Sequence, residues 1–471
     1  MIRECCGVFG IWNHPEAANL TYLGLYALQH RGQETAGIAS TDGERMYLYA
    51  DQGLVQDVFG REQIGALEGR SAIGHVRYST TGTNESRNAQ PLLAKYWGGS
   101  MAIAHNGNLT NSAWLKARLE KQGAIFHTSM DSEILQHLIA RSQEKDFLEA
   151  TKDALRALQG SYSIVILRPD CLVAVKDPRG YRPLCLGRLD GAWVVASESC
   201  AFDIIGAQLE REVEAGEMLI IRRDGTVESE FPMPRIEPAF CIFEYIYFSR
   251  PDSVIHGRSV YEMRKALGRQ LAIEHPVPAD MVVPVPDSSN PAALGYAQQT
   301  GIPFELGLIR SHYIGRTFIE PRQSIRDFGA KIKYNPLQQS LEGKRLVVVD
   351  DSIVRGTTAR KIVKMLRAAG AAEIHYRVSC PPWRNPCYFG IDTPSKEELL
   401  ASTRTLEEMN EFIGSDTLQF VSYEGLFQVF GGSDRGFCGP CFSGNYPGGR
   451  PREFSKECLE APNVLVPSKR G

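Results

Sequence analysis

No stretch of the 471 residues holds the roughly 18 consecutive apolar residues that a membrane-spanning helix needs, so no transmembrane segment is expected. The opening residues, MIRECCGVFG, lack the apolar run of a secretory leader, and a cytoplasmic location is the expectation. Neither sign of charge is in excess: 52 Lys and Arg stand against 55 Asp and Glu, for a net charge of -3. Without a basic surplus, nucleic acid is not an expected partner. Any acidic ligand must be held by local groups rather than by a global field. There is no internal repeat and no low-complexity segment. Cysteine, by contrast, is plentiful, with eleven in the chain. In a reducing compartment structural disulfides are rare, so catalytic or metal-binding thiols are to be sought. Cys171, Cys185, Cys200, Cys380 and Cys458 show no ligand spacing and read as packing residues.

The length exceeds one ordinary core, so two domains are expected. The texture divides accordingly. Residues 6–230 read as short apolar strands broken by Gly, Asn and Asp turns, with a few helices. Cys6–Trp12 is a strand. Leu20, Leu23, Ala27 and Leu28 mark a helix that Gly32 can end, and Ile134, Leu135, Leu138 and Ile139 mark another. Strands 163–168 and 192–197 complete a pattern without strict alternation, which predicts stacked layers around antiparallel sheets. Glu230–Pro238, with three prolines, is a linker. Beyond it, the apolar runs 281–286 and 346–349 read as buried parallel strands followed by helices. The second of those helices carries Ile362, Met365, Leu366 and Ala369, with Gly370 at its C-cap. Residues 231–445 thus form an α/β unit, and 446–471 a tail over the surface.

The string LVVVDDSIVRGTT at 346–358 combines an apolar strand, two aspartates, a Gly-Thr-Thr turn and a helix. Asp350 and Asp351 at the strand's carboxyl end can accept hydrogen bonds from vicinal ribose hydroxyls. The loop Ser352, Arg355, Gly356, Thr357, Thr358 offers backbone N–H groups at a helix N-terminus, a phosphate site. One acidic pair could simply close a turn, but the whole string in a strand–loop–helix setting is specific. It resembles the phosphoribosyl pyrophosphate (PRPP) motif of type I phosphoribosyltransferases. That resemblance implies further roles. Asp287-Ser288-Ser289, after VVPVP, would bind pyrophosphate through Asp287 and Ser289. Ser288, Asp350 and Asp351 would contact one Mg²⁺ per subunit, with phosphate oxygens and water completing the shell. The basic segment Arg310–Lys333, with Arg316, Arg322, Arg326 and Lys331, would be a lid over the pyrophosphate.

In the first half, CGVFGIW, LQHRGQETAGI, GHVRYSTTG, AHNGNLTN and TSMDSEI occur in that order. Together they resemble the N-terminal-nucleophile (Ntn) glutaminase domain of class II amidotransferases. The fold class implied is α/β (α+β): a four-layer αββα Ntn-hydrolase domain followed by a parallel-sheet phosphoribosyltransferase domain. In that family the mature chain begins with the cysteine, whose free α-amine is the general base for its own thiol. Cys6 matches the nucleophile, and Met1–Cys5 would be a propeptide. Asn106 and Gly107 match the oxyanion hole. Arg77 matches the clamp on the glutamine α-carboxylate, and Asp131 the partner of its α-ammonium. Arg31 would belong to the same pocket wall. With the amine as base, His30, His75 and His105 are read as structural.

Cys438-Gly-Pro-Cys441 is a C-x-x-C that alone fits zinc, redox chemistry or nothing. Four thiolates would suit zinc on chemistry alone. With Cys241 and Cys387 the positions resemble the [4Fe–4S] ligands of one branch of the PRPP amidotransferases, the branch that also has a cleaved propeptide. One cluster per subunit is implied, pinning the C-terminal region across both domains.

The resemblance runs from Cys6 to about Pro447. It implies hydrolysis of glutamine at Cys6, internal passage of ammonia, and its attack with inversion on C1 of PRPP. The products would be 5-phosphoribosylamine, glutamate and pyrophosphate, at the first committed step of purine synthesis. AMP, ADP, GMP or GDP as feedback ligands and a homotetramer are implied as well. A hexosamine-forming amidotransferase would share only the first half and lack VVVDDSIVRGTT. A PRPP-sensing regulator would share only the second half, and its basic DNA-binding segment is not visible.

Overall fold

The structure is a computed structural model that describes residues 6–78, 85–311, 334–393, 395–450 and 459. Residues 1–5, most of the basic segment after Arg310, and Cys458 lie outside these.

The first half is built on two antiparallel sheets. One has seven strands, in the order Gln208–Glu212, Cys185–Leu189, Ala192–Ala196, Gly7–Trp12, Ser71–Arg77, Thr35–Thr41 and Met46–Gln52. The other has six: Val227–Glu230, Met218–Arg222, Cys171–Lys176, Gly160–Leu167, Gly99–Leu109 and Leu92–Tyr96. The reason for stacking is legible in the strand Gly7–Trp12, every residue of which is buried. Its side chains alternate. Phe9 and Ile11 meet the helices Ala17–Ala27 and Cys200–Ile205 on one face, while Val8 and Trp12 meet Ala102, Ala104 and Val165 of the other sheet. Met101, Ile103, Tyr162 and Ile164 point outward from the second sheet, under the helices Ser112–Lys121, Ser132–Arg141 and Phe147–Ala157. The result is four layers, αββα, as the alternation of two apolar faces requires.

Two boundaries differ from the sequence reading. The first helix stops at Ala27, and Gly32 serves another purpose. A Cβ there would sit 2.5 Å from the backbone N of Arg77, so glycine lets the chain press against the end of that strand. At the far end of the chain, Ala369 takes the C-cap of the helix Thr357–Ala368, and Gly370 follows in the left-handed conformation.

The second half has a parallel sheet in the order Met281–Pro284, Arg345–Asp350, Glu373–Val378 and Thr417–Phe420. Its strand Arg345–Asp350 is wholly apolar from Leu346 to Val349 because helices cover both faces. The sheet's carboxyl ends therefore carry the polar residues that have nowhere else to go. After the linker, Ala239–Cys241 runs parallel to Gly436–Cys438, and its N–H groups at Ala239 and Cys241 donate to the carbonyls of Arg179 and Tyr181 in the first half. The two halves are thus joined by backbone hydrogen bonds. Among the described residues no helix is long and apolar enough to cross a membrane.

Candidate active sites

Cys6 immediately precedes the central strand of the seven-stranded sheet. Its Sγ donates to the Tyr78 carbonyl at 3.4 Å, and its own carbonyl accepts from Arg31 Nε at 3.1 Å. Burial pushes the thiol up, and the charges of Glu34 and Asp131 add to this against the Tyr78 contact and Arg77. A protonated, buried thiol needs a base before it can attack.

Around it converge residues from both sheets. Arg77 ends its strand fully buried, within electrostatic reach of Cys6, Glu34 and Asp131. His75, two residues earlier, donates through Nε2 to the His105 carbonyl at 3.0 Å, which bolts one sheet to the other beside Asn106. Burial lowers His75 to about 3, so the ring is neutral and no base. His105 contacts Ser132 and Asp131, and His30 contacts Ala27 and Glu198, so each histidine is occupied with structure.

Asp131 receives the Leu109 N–H at 2.8 Å, and its other oxygen lies 3.4 Å from His105 Nδ1. Burial opposes ionisation, but His105 and these N–H groups hold the carboxyl below its usual range. A buried anion tied through the Leu109 N–H to the strand that carries Asn106, Gly107 and Asn108 is suited to an ammonium. Asn106 is 1% exposed, and neither atom of its amide has a hydrogen-bond partner among the described residues. A buried amide left unpaired is costly, which marks it as held for something else. Gly107 has φ 151°, and a Cβ would stand 2.1 Å from the Ser161 carbonyl oxygen. Only glycine can present its backbone here.

Arg31 departs from the pocket-wall expectation. Its guanidinium turns to Glu198 and Glu244, with bonds of 3.0 and 2.8 Å to the latter, because a fully buried cation must find buried anions. It reaches Cys6 through the Cys6 carbonyl. Glu34, inside LQHRGQETAGI, is the neighbour of Cys6 that motif reading passed over.

The second site forms at the carboxyl end of the strand Arg345–Asp350. Asp350 accepts from the Tyr376 hydroxyl at 2.6 Å and from the Asp351 N–H at 3.0 Å. Asp351 accepts from Ser288 at 2.6 Å and from Ser352. Ser289 lies 3.5 Å from both carboxylates. Burial, and for Asp350 the adjacent Asp351 charge, raises both carboxyls above their usual range. Two buried, adjacent acids with serine hydroxyls between them form an oxygen-rich set that a hard cation would relieve. Gly356, at φ 71°, caps the helix that Thr357 and Thr358 begin, whose first-turn N–H groups have no acceptor within the helix. Arg355 instead pairs with Glu398 at 2.6 Å on the surface, and Asp287 pairs with Arg310 at 2.9 Å. Tyr376 was not legible as a site residue, since it reads as one more apolar strand position. Of the basic segment only Arg310 lies among the described residues; Arg316, Arg322, Arg326, Lys331 and Lys333 do not.

The four cysteines also converge. Cys241 stands in register beside Cys438, Cys441 follows in the turn Pro440–Ser443, and none is in a disulfide. Burial raises the Cys438 thiol far above its ordinary value, and Cys241, Cys387 and Cys441 raise it further. Arg182, another residue that motifs did not reveal, opposes the rise at Cys241, Cys387 and Cys438. Among the described residues no three Cys, His, Asp or Glu side chains are gathered tightly enough to hold one metal ion. The segment after Cys387 reaches the first site: Asn108 Nδ2 donates to the Tyr388 carbonyl at 2.9 Å, and Gly390 lies against Gly107.

These two sites agree with what the chain is similar to. Residues 75–203 match the glutamine amidotransferase domain family, and residues 270–415 match the phosphoribosyl transferase domain family. Amidophosphoribosyltransferase of Bacillus subtilis (strain 168) is 51% identical over 95% of this chain and 94% of its own length. Amidophosphoribosyltransferase 1, chloroplastic, of Arabidopsis thaliana is 54% identical over 94% of this chain and 79% of its own. The solved glutamine PRPP amidotransferase from B. subtilis, complexed with ADP and GMP, superposes with a TM-score of 0.89 at 51% identity, covering 94% of this chain and 97% of that one. Matched along nearly its whole length and in both halves, the chain belongs to the amidophosphoribosyltransferase family.

Proposed function

We propose that the chain transfers the amide nitrogen of glutamine to C1 of PRPP, giving 5-phosphoribosylamine, glutamate and pyrophosphate at the first step of purine synthesis. The observation that carries this is the pairing, in one chain, of a buried thiol within electrostatic reach of Arg77 and Asp131, and a buried Asn106 amide with no hydrogen-bond partner among the described residues, with the acidic strand end Asp350–Asp351.

At the first site Cys6 attacks the glutamine amide, releasing ammonia and leaving a γ-glutamyl thioester that water hydrolyses to glutamate and the free thiol. Removal of residues 1–5 would free the Cys6 α-amine, whose unperturbed pKa of about 8 suits a base near neutrality. Arg77 binds the α-carboxylate and Asp131 the α-ammonium. Asn106 and the backbone of Gly107 stabilise the developing oxyanion. Ammonia then passes inside the protein to the second site, where Asp350 and Asp351 hold the ribose, and the loop Ser352–Thr358 with Asp287 and Ser289 holds the phosphates. Ser288, Asp350 and Asp351 fit Mg²⁺, which would supply positive charge to the departing pyrophosphate. Cys241, Cys387, Cys438 and Cys441 fit a [4Fe–4S] cluster better than zinc, because a cubane takes one thiolate at each separate iron corner. The cluster would fasten the C-terminal region across the two halves.

A solved relative carries ADP and GMP, and another solved relative is described as the allosteric regulatory enzyme of purine biosynthesis. Purine nucleotides are therefore proposed as feedback ligands of this chain, and a cytoplasmic homotetramer as its working form. The deciding experiment is Cys6→Ser. Glutamine-dependent synthesis should vanish while free ammonia still reacts with PRPP. Equal loss of both reactions would overturn the two-site reading.

A further inference from the structure

Arg31 is the one described side chain seen to grip the backbone of Cys6, and what grips Arg31 comes largely from the other half of the chain. Glu244 opens the turn Glu244–Phe248, a π-helical stretch of a kind that recurs at functional sites. Its carboxylate accepts from Arg31 at 3.0 and 2.8 Å, from Arg182 at 3.1 Å and from the Ser249 hydroxyl at 2.8 Å. Arg31, Glu198 and Glu244 have fully buried side chains, and Arg182 is 1% exposed. Burial opposes ionisation of Glu244, but the two arginines keep its carboxyl below the usual range. The turn is itself bracketed by Arg264, which donates to the carbonyls of Tyr245 and Ser249 at 2.8 and 2.7 Å and lies within electrostatic reach of Asp351.

A buried two-arginine, two-glutamate cluster is expensive to desolvate and is poor value as a mere fastener. Its geometry explains its presence otherwise. A planar guanidinium held on two edges by carboxylates has its third edge, Nε, fixed in direction, and that edge meets the Cys6 carbonyl at 3.1 Å. We propose that Glu244 is a positioning residue for glutamine hydrolysis: from the phosphoribosyl half it orients Arg31, and Arg31 holds the nucleophilic residue in line. This inference rests on reading Cys6 as the nucleophile.

The test uses the full-length mature enzyme. Glu244→Gln keeps the shape and removes the charge. The expected result is a fall of about tenfold or more in kcat for glutamine hydrolysis, with KM for glutamine and ammonia-dependent synthesis unchanged. Ser249→Ala, which removes one bond to Glu244, should give a smaller fall of the same kind and covers the case in which Glu244→Gln fails to fold. Unchanged kcat in a folded Glu244→Gln, a change in KM alone, or equal loss of both reactions would overturn the proposal. A Cys6→Ala control separates the two levels: glutamine hydrolysis surviving there would refute the nucleophile itself, whatever Glu244 does.

Discussion

Asn106→Ala removes an amide that is buried, yet unpartnered at both its nitrogen and its oxygen among the described residues. Each such unsatisfied group costs a fold about 1–3 kcal/mol, so deleting it relieves a penalty. The same deletion leaves a small cavity and loses packing on a scale of about 1–2 kcal/mol. The two effects oppose each other, and net stability should shift by no more than about 1 kcal/mol, or a few degrees in Tm. Catalysis has no such compensation. Loss of one preformed oxyanion donor costs about 10²–10³ in kcat, roughly 3–4 kcal/mol of transition-state stabilisation. The variant should therefore make glutamate from glutamine some hundreds of times more slowly, melt near the parent temperature, and use free ammonia at the parent rate. Steady-state glutamate release, ammonia-dependent synthesis and a thermal melt measure the three quantities. A fall in kcat below about tenfold, or a large loss of Tm that carries both activities down together, would refute the assignment of Asn106.

Asp351→Asn should damage PRPP use with either nitrogen source and leave basal glutamine hydrolysis intact. The change removes a carboxylate bonded to Ser288 and proposed to face Mg²⁺, and unchanged PRPP kinetics would count against the motif. Cys438→Ser should lower folded yield and leave more precursor uncleaved, because this thiol sits in register with Cys241 at the junction of the two halves. Iron and sulfide analysis checks the same site. About four of each per chain is expected from the cluster type, and stoichiometric zinc would replace the cluster assignment.

The sequence carried most of both sites because their residues sit in short strings that are local in the chain. The strand Gly7–Trp12 and the unit from Arg345 to Ala368 are each set by neighbours: an apolar run, a turn glycine and a helix start. What could not be read is long-range partnership. Tyr376 shows only as a β-former, and its bond to Asp350 exists because two parallel strands pair Val348 with Tyr376. Arg31 was assigned to a pocket wall because nothing near HRGQ reveals Glu244, 213 positions away. Arg355 pairs at the surface with Glu398, a partner 43 positions away that its own string does not show. Asn108 and Tyr388, 280 positions apart, link the strand Gly99–Leu109 to the loop after Cys387 through a side chain and a carbonyl that no motif records.

The central claim is that glutamine nitrogen reaches C1 of PRPP without leaving the protein. Mature enzyme with Mg²⁺, PRPP, glutamine labelled with ¹⁵N at the amide, and an excess of unlabelled ammonium measures this directly, with the isotope read by mass spectrometry in the trapped amine product. The account predicts 5-phosphoribosylamine carrying ¹⁵N close to the enrichment of the glutamine amide. Product diluted to the enrichment of the bulk ammonium pool, or labelled ammonia released with no labelled amine formed, would contradict it.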